Sequence, residues 1–270
     1  MSEPNGTVNA PAADTALVAY VLRLGDDALI ASHRLAELVS SAPQLEEDVA
    51  LANISLDLLG QARALLTYAG RAEEQLTGVL RTEDDLAYMR DENQFVNCRL
   101  VELPNTDFAH TIARQLLFSA YAYELYGTLV DSADETLAGV AAKAVKELDY
   151  HRDHAALWTV RLGDGTDESN ARMAAALKAF WPYVDEVFAS DDVTRTVAAA
   201  GTGTDPASLR PAWDTYIDGV LAEAGLDRPD TPPLTGLAGL GGRQGVHTET
   251  FGYLIAEMQH LHRSHPGATW

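Results

Sequence analysis

The chain has 270 residues, 47% of them hydrophobic, enough to build a packed core and too many for a disordered chain. Acidic residues number 40 against 19 basic ones, and the net charge of −21 repels phosphate backbones and anionic lipid, so it argues against nucleic-acid and membrane-surface binding. The single cysteine, Cys98, permits no internal disulfide and suits a reducing compartment, so a cytoplasmic protein is expected.

The opening "MSEPNGTVNAPAAD" is polar and lacks the apolar stretch of a signal peptide; residues 1–13 read as a disordered tail and 14–270 as one domain. No apolar run suggests a membrane helix, so the Asn-x-Ser/Thr matches at Asn5 and Asn53 carry no glycosylation signal. A first helix is expected over 14–40. Leu17, Val21, Leu24, Ala28, Ala31, Leu35 and Leu38 form one stripe, and Leu22, Leu29 and Ile30 lie opposite, among Asp26, His33 and Glu37. The pattern Ser41-Ala-Pro-Gln44 predicts a capping box for a second helix, with Gly70 as its stop. That helix too carries two stripes: Leu45, Val49, Ala52, Leu56, Leu59 and Leu66 on one side, Leu51, Ile54, Leu58, Gln61, Leu65 and Tyr68 on the other.

A polar connector over 71–104 leads to a third helix at 107–131. The fourth opens at a second capping box, Ser132-Ala-Asp-Glu135, and runs to Leu162. A fifth spans 167–189, bent near Pro182, and a sixth follows Asp205-Pro206. A Pro/Gly-rich loop (225–246) and a last helix (248–264) close the chain. Two long hairpins joined by a longer crossover describe an all-α four-helix bundle with additional C-terminal helices.

Such bundles can hold a di-iron centre, with a carboxylate from each of two helices and Glu-x-x-His from each of the other two. "KELDYHRDHAALW" (146–158) invites the comparison. On the fourth helix Glu147, His151 and His154 share a face, but Glu147 plus three is Tyr150, and His151 stands at plus four. Glu124 on the third helix and Asp26 or Glu37 on the first are candidate carboxylates. On the second helix the inward pair is Leu58 and Gln61 where Glu and His are needed, and Asp57 points about 100° away. These residues are compatible with a buried polar cluster, a di-iron site or a mononuclear site; Glu147 and His151, four apart, are placed to hydrogen-bond each other. Of the remaining motifs, "RLGDGTDES" reads as a helix cap rather than a phosphate loop, and Cys98 has no histidine nearby in sequence to activate it. Arg243 and His247 in "GGRQGVHTE" are candidates for contact with a partner or an anionic ligand.

Four stretches together carry a resemblance: "LRLGDDALIASHRLAELVSSAPQLEEDVALANISLDLLGQARALLTYAG", "RDENQFVNCRLVELPNTDFAHTIARQLLF", "KELDYHRDHAALWTVRLGDGTDES" and "GGRQGVHTETFGYLIAEMQHLHRSHPGATW". They resemble the PaaC-type family, one component of the multicomponent ring-1,2-phenylacetyl-CoA epoxidases of phenylacetate catabolism, over residues 14–270. The resemblance implies a ferritin-like fold and a non-catalytic structural subunit that binds no cofactor itself. It would pair with a catalytic di-iron subunit that epoxidises the aromatic ring with O2, using NADPH electrons from a reductase subunit. Leu58, Gln61, Glu124, Glu147 and His151 would then be degenerate ligand positions. Two other readings stand beside it: an active di-iron oxygenase in its own right, and a metal-free helical binding protein unrelated to oxygenation.

Overall fold

The computed structural model describes residues 12–268; of the expected tail, residues 1–11 lie outside them, and Ala13 already opens a helix. Among the described residues all regular structure is helical. Helices α1 (Ala13–Ala36) and α2 (Leu45–Thr77) form one antiparallel hairpin, and α4 (Phe108–Leu129) and α5 (Glu135–Gly163) the other. The crossover between them holds a π turn (Asp85–Met89), a 3-10 turn (Glu92–Gln94) and the short α3 (Arg99–Glu102). After the bundle come α6 (Asp167–Phe180), a 3-10 turn at Trp181–Tyr183 that makes the expected bend at Pro182, and α7 (Val184–Val187). The remaining helices are α8 (Asp192–Ala199), which sequence periodicity missed, α9 (Arg210–Glu223), α10 (Gly236–Leu240) and α11 (Glu249–Ser264). This is the ferritin-like bundle with C-terminal additions that the sequence predicts.

Local signals were misplaced at three helix ends. Helix α2 has no side-chain cap at Gln44; instead the Asp48 carboxylate accepts the Ser40 and Ala42 amides at 3.1 and 3.0 Å, so the Ser41–Gln44 box does not form. Nor does Gly70 stop α2, which continues to Thr77 and ends at Gly78 in the left-handed region (φ 76°). Gly70 serves a different need: a Cβ there would sit 1.9 Å from the Arg81 carbonyl oxygen, so the crossover backbone passes directly over it. The cap of α5 is Asp134, which accepts the Leu137 amide at 2.8 Å, while Ser132 donates to the Thr202 carbonyl.

The connector is not a polar surface loop. Leu86, Phe95, Cys98, Leu100, Val101 and Leu103 are buried, and together with α8 they cover the second apolar side of α1, where Leu29 and Ile30 lie. On α2 one stripe is covered along its length and the other only toward its C-terminal end. Leu51, Ile54, Leu58 and Leu65 are buried; on the far side Leu66 is buried and Leu59 packs against the core, whereas Leu45, Val49 and Leu56 are exposed. By length and composition α2 is apolar enough to cross a membrane, contrary to the reading of the sequence. Its carboxylates and its packed inner face make it a core helix of the bundle, tied to α1 by reciprocal Ser32–Ser55 hydroxyl-to-carbonyl bonds of 2.7 and 2.9 Å.

Two helical glycines give opposite expectations. Gly70→Ala drives a methyl into backbone and lowers stability by about 1–3 kcal/mol, whereas Gly127→Ala, with nothing within 4 Å, raises it by up to about 1 kcal/mol. Urea denaturation of the two variants reads both signs.

Candidate functional site

Helices α1, α2, α4 and α5 meet around a small central cavity, the place where a bundle of this type holds a metal centre. Helix α2 presents Leu58 and Gln61 to it, as the sequence predicts. Helix α5 presents Leu148, one residue on from Glu147, and His151 follows Leu148 at plus three. Leu58 and Gln61, and Leu148 and His151, thus share the i,i+3 spacing of the motif, with leucine lining the cavity at each acid position and His151 outside the lining. Glu147 lies to one side, where it accepts Gln61 Nε2 at 3.0 Å and approaches Lys143 Nζ at 3.1 Å. The expected Glu147–His151 bond does not form; His151 Nε2 instead faces Asp57 Oδ2 at 3.1 Å.

The other candidate carboxylates are also elsewhere. Glu124 is partly exposed, 3.9 Å from Arg152, and α4 lines the cavity with Phe118, Tyr121, Ala122 and Leu125. Asp26 turns to Arg90, whose Nη1 donates at 2.9 Å, and to the Val96 amide at 2.9 Å. Glu37 pairs with Arg34 and Asn105 at the end of α1. The carboxylate that does reach the cavity is Asp27, which sequence reasoning missed. It is occupied by Arg243, Nη2 to Oδ2 at 2.7 Å and Nη1 to Oδ1 at 2.9 Å, and by the Cys98 amide at 2.7 Å.

A di-iron centre needs four carboxylates and two imidazoles. The cavity offers one carboxylate already neutralised by a guanidinium, one amide, the two tyrosines Tyr121 and Tyr126, and otherwise hydrocarbon. Among the described residues no three His, Cys, Asp or Glu side chains are grouped to hold a metal ion. The residues present do not fit the group.

Polar residues organise two other regions. Along the α2–α5 seam, four pairs join the hairpins: Glu47–His154 at 2.8 Å, Asp57–His151, Gln61–Glu147 and, from Tyr68 to the α5 cap, Asp134. Asp57 points away from the centre, as the sequence indicates, and that direction brings it to His151. Burial holds the His151 imidazole below its ordinary value of 6.5, although Asp57 and Glu147 oppose the shift.

The second region ties the glycine-rich loop to the crossover. Glu102 accepts His247 Nδ1 at 2.7 Å and the Thr248 amide at 2.6 Å; Glu186 accepts the Arg99 and Gly242 amides at 2.6 and 2.7 Å. Gly245 is left-handed (φ 74°), and its Cβ would lie 2.1 Å from the Asn93 carbonyl, so the loop's glycines allow it to lie on backbone. Arg243 and His247 thus face inward, onto this chain's own carboxylates, and the His247 ring stacks on Phe251 at 4.0 Å. Burial, the largest single influence, opposes the charge of Arg243, but Asp27 together with the neighbouring Cys98 and Tyr121 outweighs it, so the guanidinium is held firmly protonated. Burial, then Asp27, pushes the Cys98 thiol well up, which leaves it an inert core residue. In "RLGDGTDES" Thr166 caps α6 by accepting the Ser169 amide, so the loop is a helix start.

Arg243→Ala leaves the Asp27 carboxylate, 3% exposed, without its cation, and is expected to cost about 3–5 kcal/mol in urea denaturation. Arg243→Lys restores part of that loss, since ammonium supplies charge without the paired donors. For His151 the folded value lies below the unfolded one, so the unfolded chain binds the proton more readily and stability falls as pH drops below about 6.5. His151→Gln therefore loses less stability than the parent chain between about pH 7 and pH 5, as denaturation midpoints across that range will show.

The family model described as "Phenylacetic acid catabolic protein" matches residues 2–270. The chain is also 44% identical, over 254 residues, to the C component of the 1,2-phenylacetyl-CoA epoxidase of Escherichia coli (strain K12), an alignment that covers 94% of this chain and 99% of that protein. With a matching bundle and a match along nearly its whole length, the chain belongs to the phenylacetic acid catabolic protein family.

Proposed function

We propose that this chain is a structural subunit of a cytoplasmic phenylacetyl-CoA epoxidase, a multicomponent monooxygenase, with no catalytic centre of its own. It pairs with a di-iron subunit that performs the oxygen chemistry, and a reductase subunit supplies the electrons. The observation that carries the reading is the pair of leucines, Leu58 and Leu148, at the two positions where a di-iron bundle places its Glu-x-x-His acids. Replacing a carboxylate by leucine removes the ligand and also fills the space, so the cavity centre becomes core. Arg243 adds to this, because a fixed guanidinium on Asp27 repels a divalent cation from the carboxylate that remains.

In this role the chain contributes shape and not chemistry. The family's bundle is retained because a second bundle must pack against it, and a helix pair that need not open for substrate can be held together by polar bridges. The resemblance of the whole chain to a protein named as one part of a multi-part epoxidase supports the assignment to a complex.

Metal content tests this. After anaerobic loading with Fe(II), the isolated chain is expected to retain far less than about one iron per chain, whereas the co-expressed complex gains iron in proportion to its di-iron subunit. Two tightly held irons on the isolated chain, with turnover in the absence of the other subunit, would overturn the proposal.

A further inference from the structure

The outer side of α2 bears large apolar side chains that none of the described residues covers. Leu45, Val49 and Leu56 are 74%, 55% and 63% exposed, and they fall on one stripe directly opposite the buried Ile54, Leu58 and Leu65. On the same side of the bundle α5 exposes Tyr150 and Leu157, at 50% and 49%. Tyr150 lies against the seam itself, with its ring 6.3 and 6.0 Å from those of His151 and His154. Further along the seam a groove of about 370 Å³ opens between the two helices, floored by the small residues Gly60, Ala64, Gly139 and Val140. From Leu45 to Gly60 the helix rises about 22 Å, and with α5 roughly 10 Å away the patch covers several hundred Å², a size that marks interaction surfaces.

The charges around this patch choose among its occupants. The groove adds Glu135 and one lysine, Lys143, while residues 45–57 and 149–157 carry Glu46, Asp48, Asp57, Asp149 and Asp153, besides Glu47 turned inward to His154, against one arginine. That arginine, Arg152, is turned away, its guanidinium 3.7 and 4.5 Å from the ring centres of Tyr123 and Tyr216. A second copy docked face to face would set carboxylate against carboxylate around an apolar centre, and an anionic membrane would be repelled in the same way. The complementary surface is an apolar helix face edged with lysine and arginine.

We infer that the outer stripe of α2, with the adjoining edge of α5, is the docking surface for the di-iron subunit, which meets it with apolar residues rimmed by basic side chains. This rests on the pairing proposed above and adds the face through which it occurs. The small residues of the groove let a helix of the other bundle approach closely, and the seam bridges behind the patch hold α2 and α5 in fixed register to receive it.

The test measures the dissociation constant between this full-length chain and the di-iron subunit of the same epoxidase by calorimetry, at low and high salt. Leu56→Glu and Val49→Glu alter exposed positions, so the isolated variants should melt like the parent; each is expected to weaken the complex at least tenfold. Tyr253→Glu, at a 73% exposed position on α11, serves as the control and should bind as the parent does. Raising the salt should weaken the parent complex, since carboxylates here face cations there. If the parent binds but Leu56→Glu and Val49→Glu bind equally well, this face is wrong and the pairing stands. If the parent does not bind at all, the pairing falls and the face with it. Parent chain that self-associates, or that binds phosphatidylcholine vesicles, in a manner abolished by Leu56→Glu would likewise overturn the assignment of the patch to the di-iron subunit.

Discussion

Asp26 and Asp27 are consecutive on α1, and both are buried, at 0% and 3% exposure. Adjacent positions on a helix point about 100° apart, so one cation cannot serve both. Each carboxylate must find its own partner or forfeit several kcal/mol of hydration. Asp26 takes Arg90 from the crossover, and Asp27 takes Arg243 from the glycine-rich loop near the other end of the chain. The Val96 and Cys98 amides complete the two shells. Meeting this requirement draws the crossover across α1 and lays the C-terminal loop over the crossover. Glu102 and Glu186 then fasten that loop at Thr248, His247 and Gly242.

The same arrangement bears on the centre of the bundle. In a metal-bearing relative of this architecture the charge of inward carboxylates is balanced by iron. Here a side chain of the protein supplies the counter-charge, and leucines take the remaining volume. A guanidinium needs no loading and cannot dissociate, so the balance is built in when the chain folds. It also makes the centre unsuited to a cation, because the lone carboxylate in the cavity is already engaged by two donors from Arg243.

The seam between the hairpins follows a different logic. Hydrocarbon packing tolerates small slips along a helix, whereas hydrogen bonds fail over a few tenths of an ångström. Glu47–His154, Asp57–His151, Gln61–Glu147 and Tyr68–Asp134 therefore set the register of α2 against α5 along nearly the whole contact. They also form the floor beneath the exposed stripe of α2. Helix α1 has apolar residues on two sides as well, but the crossover and α8 cover its outer side, whereas among the described residues nothing covers Leu45, Val49 and Leu56 on α2.

Periodicity in the sequence was enough to determine the all-α bundle, its four long helices and the inward direction of Leu58 and Gln61, because these depend on residues close together in the chain. The resemblance of four long stretches carried the family. What the sequence left undecided turned on contacts far apart in the chain. Glu147 and Leu148 are both compatible with an inward face at 3.6 residues per turn, and only the packing of α5 against its neighbours selects Leu148. Residues 71–104 look polar, yet they are buried, because Arg90, Arg99 and Glu102 find partners 64 to 147 residues away. Arg243 and His247 stood out by type, but their carboxylates, Asp27 and Glu102, are 216 and 145 residues distant. The two stripes of α2 read as equally apolar. That the outer one is covered at Leu66 and left open at Leu45, Val49 and Leu56 was decided by where the rest of the chain runs, since burial is a property of the assembled surface and not of the helix.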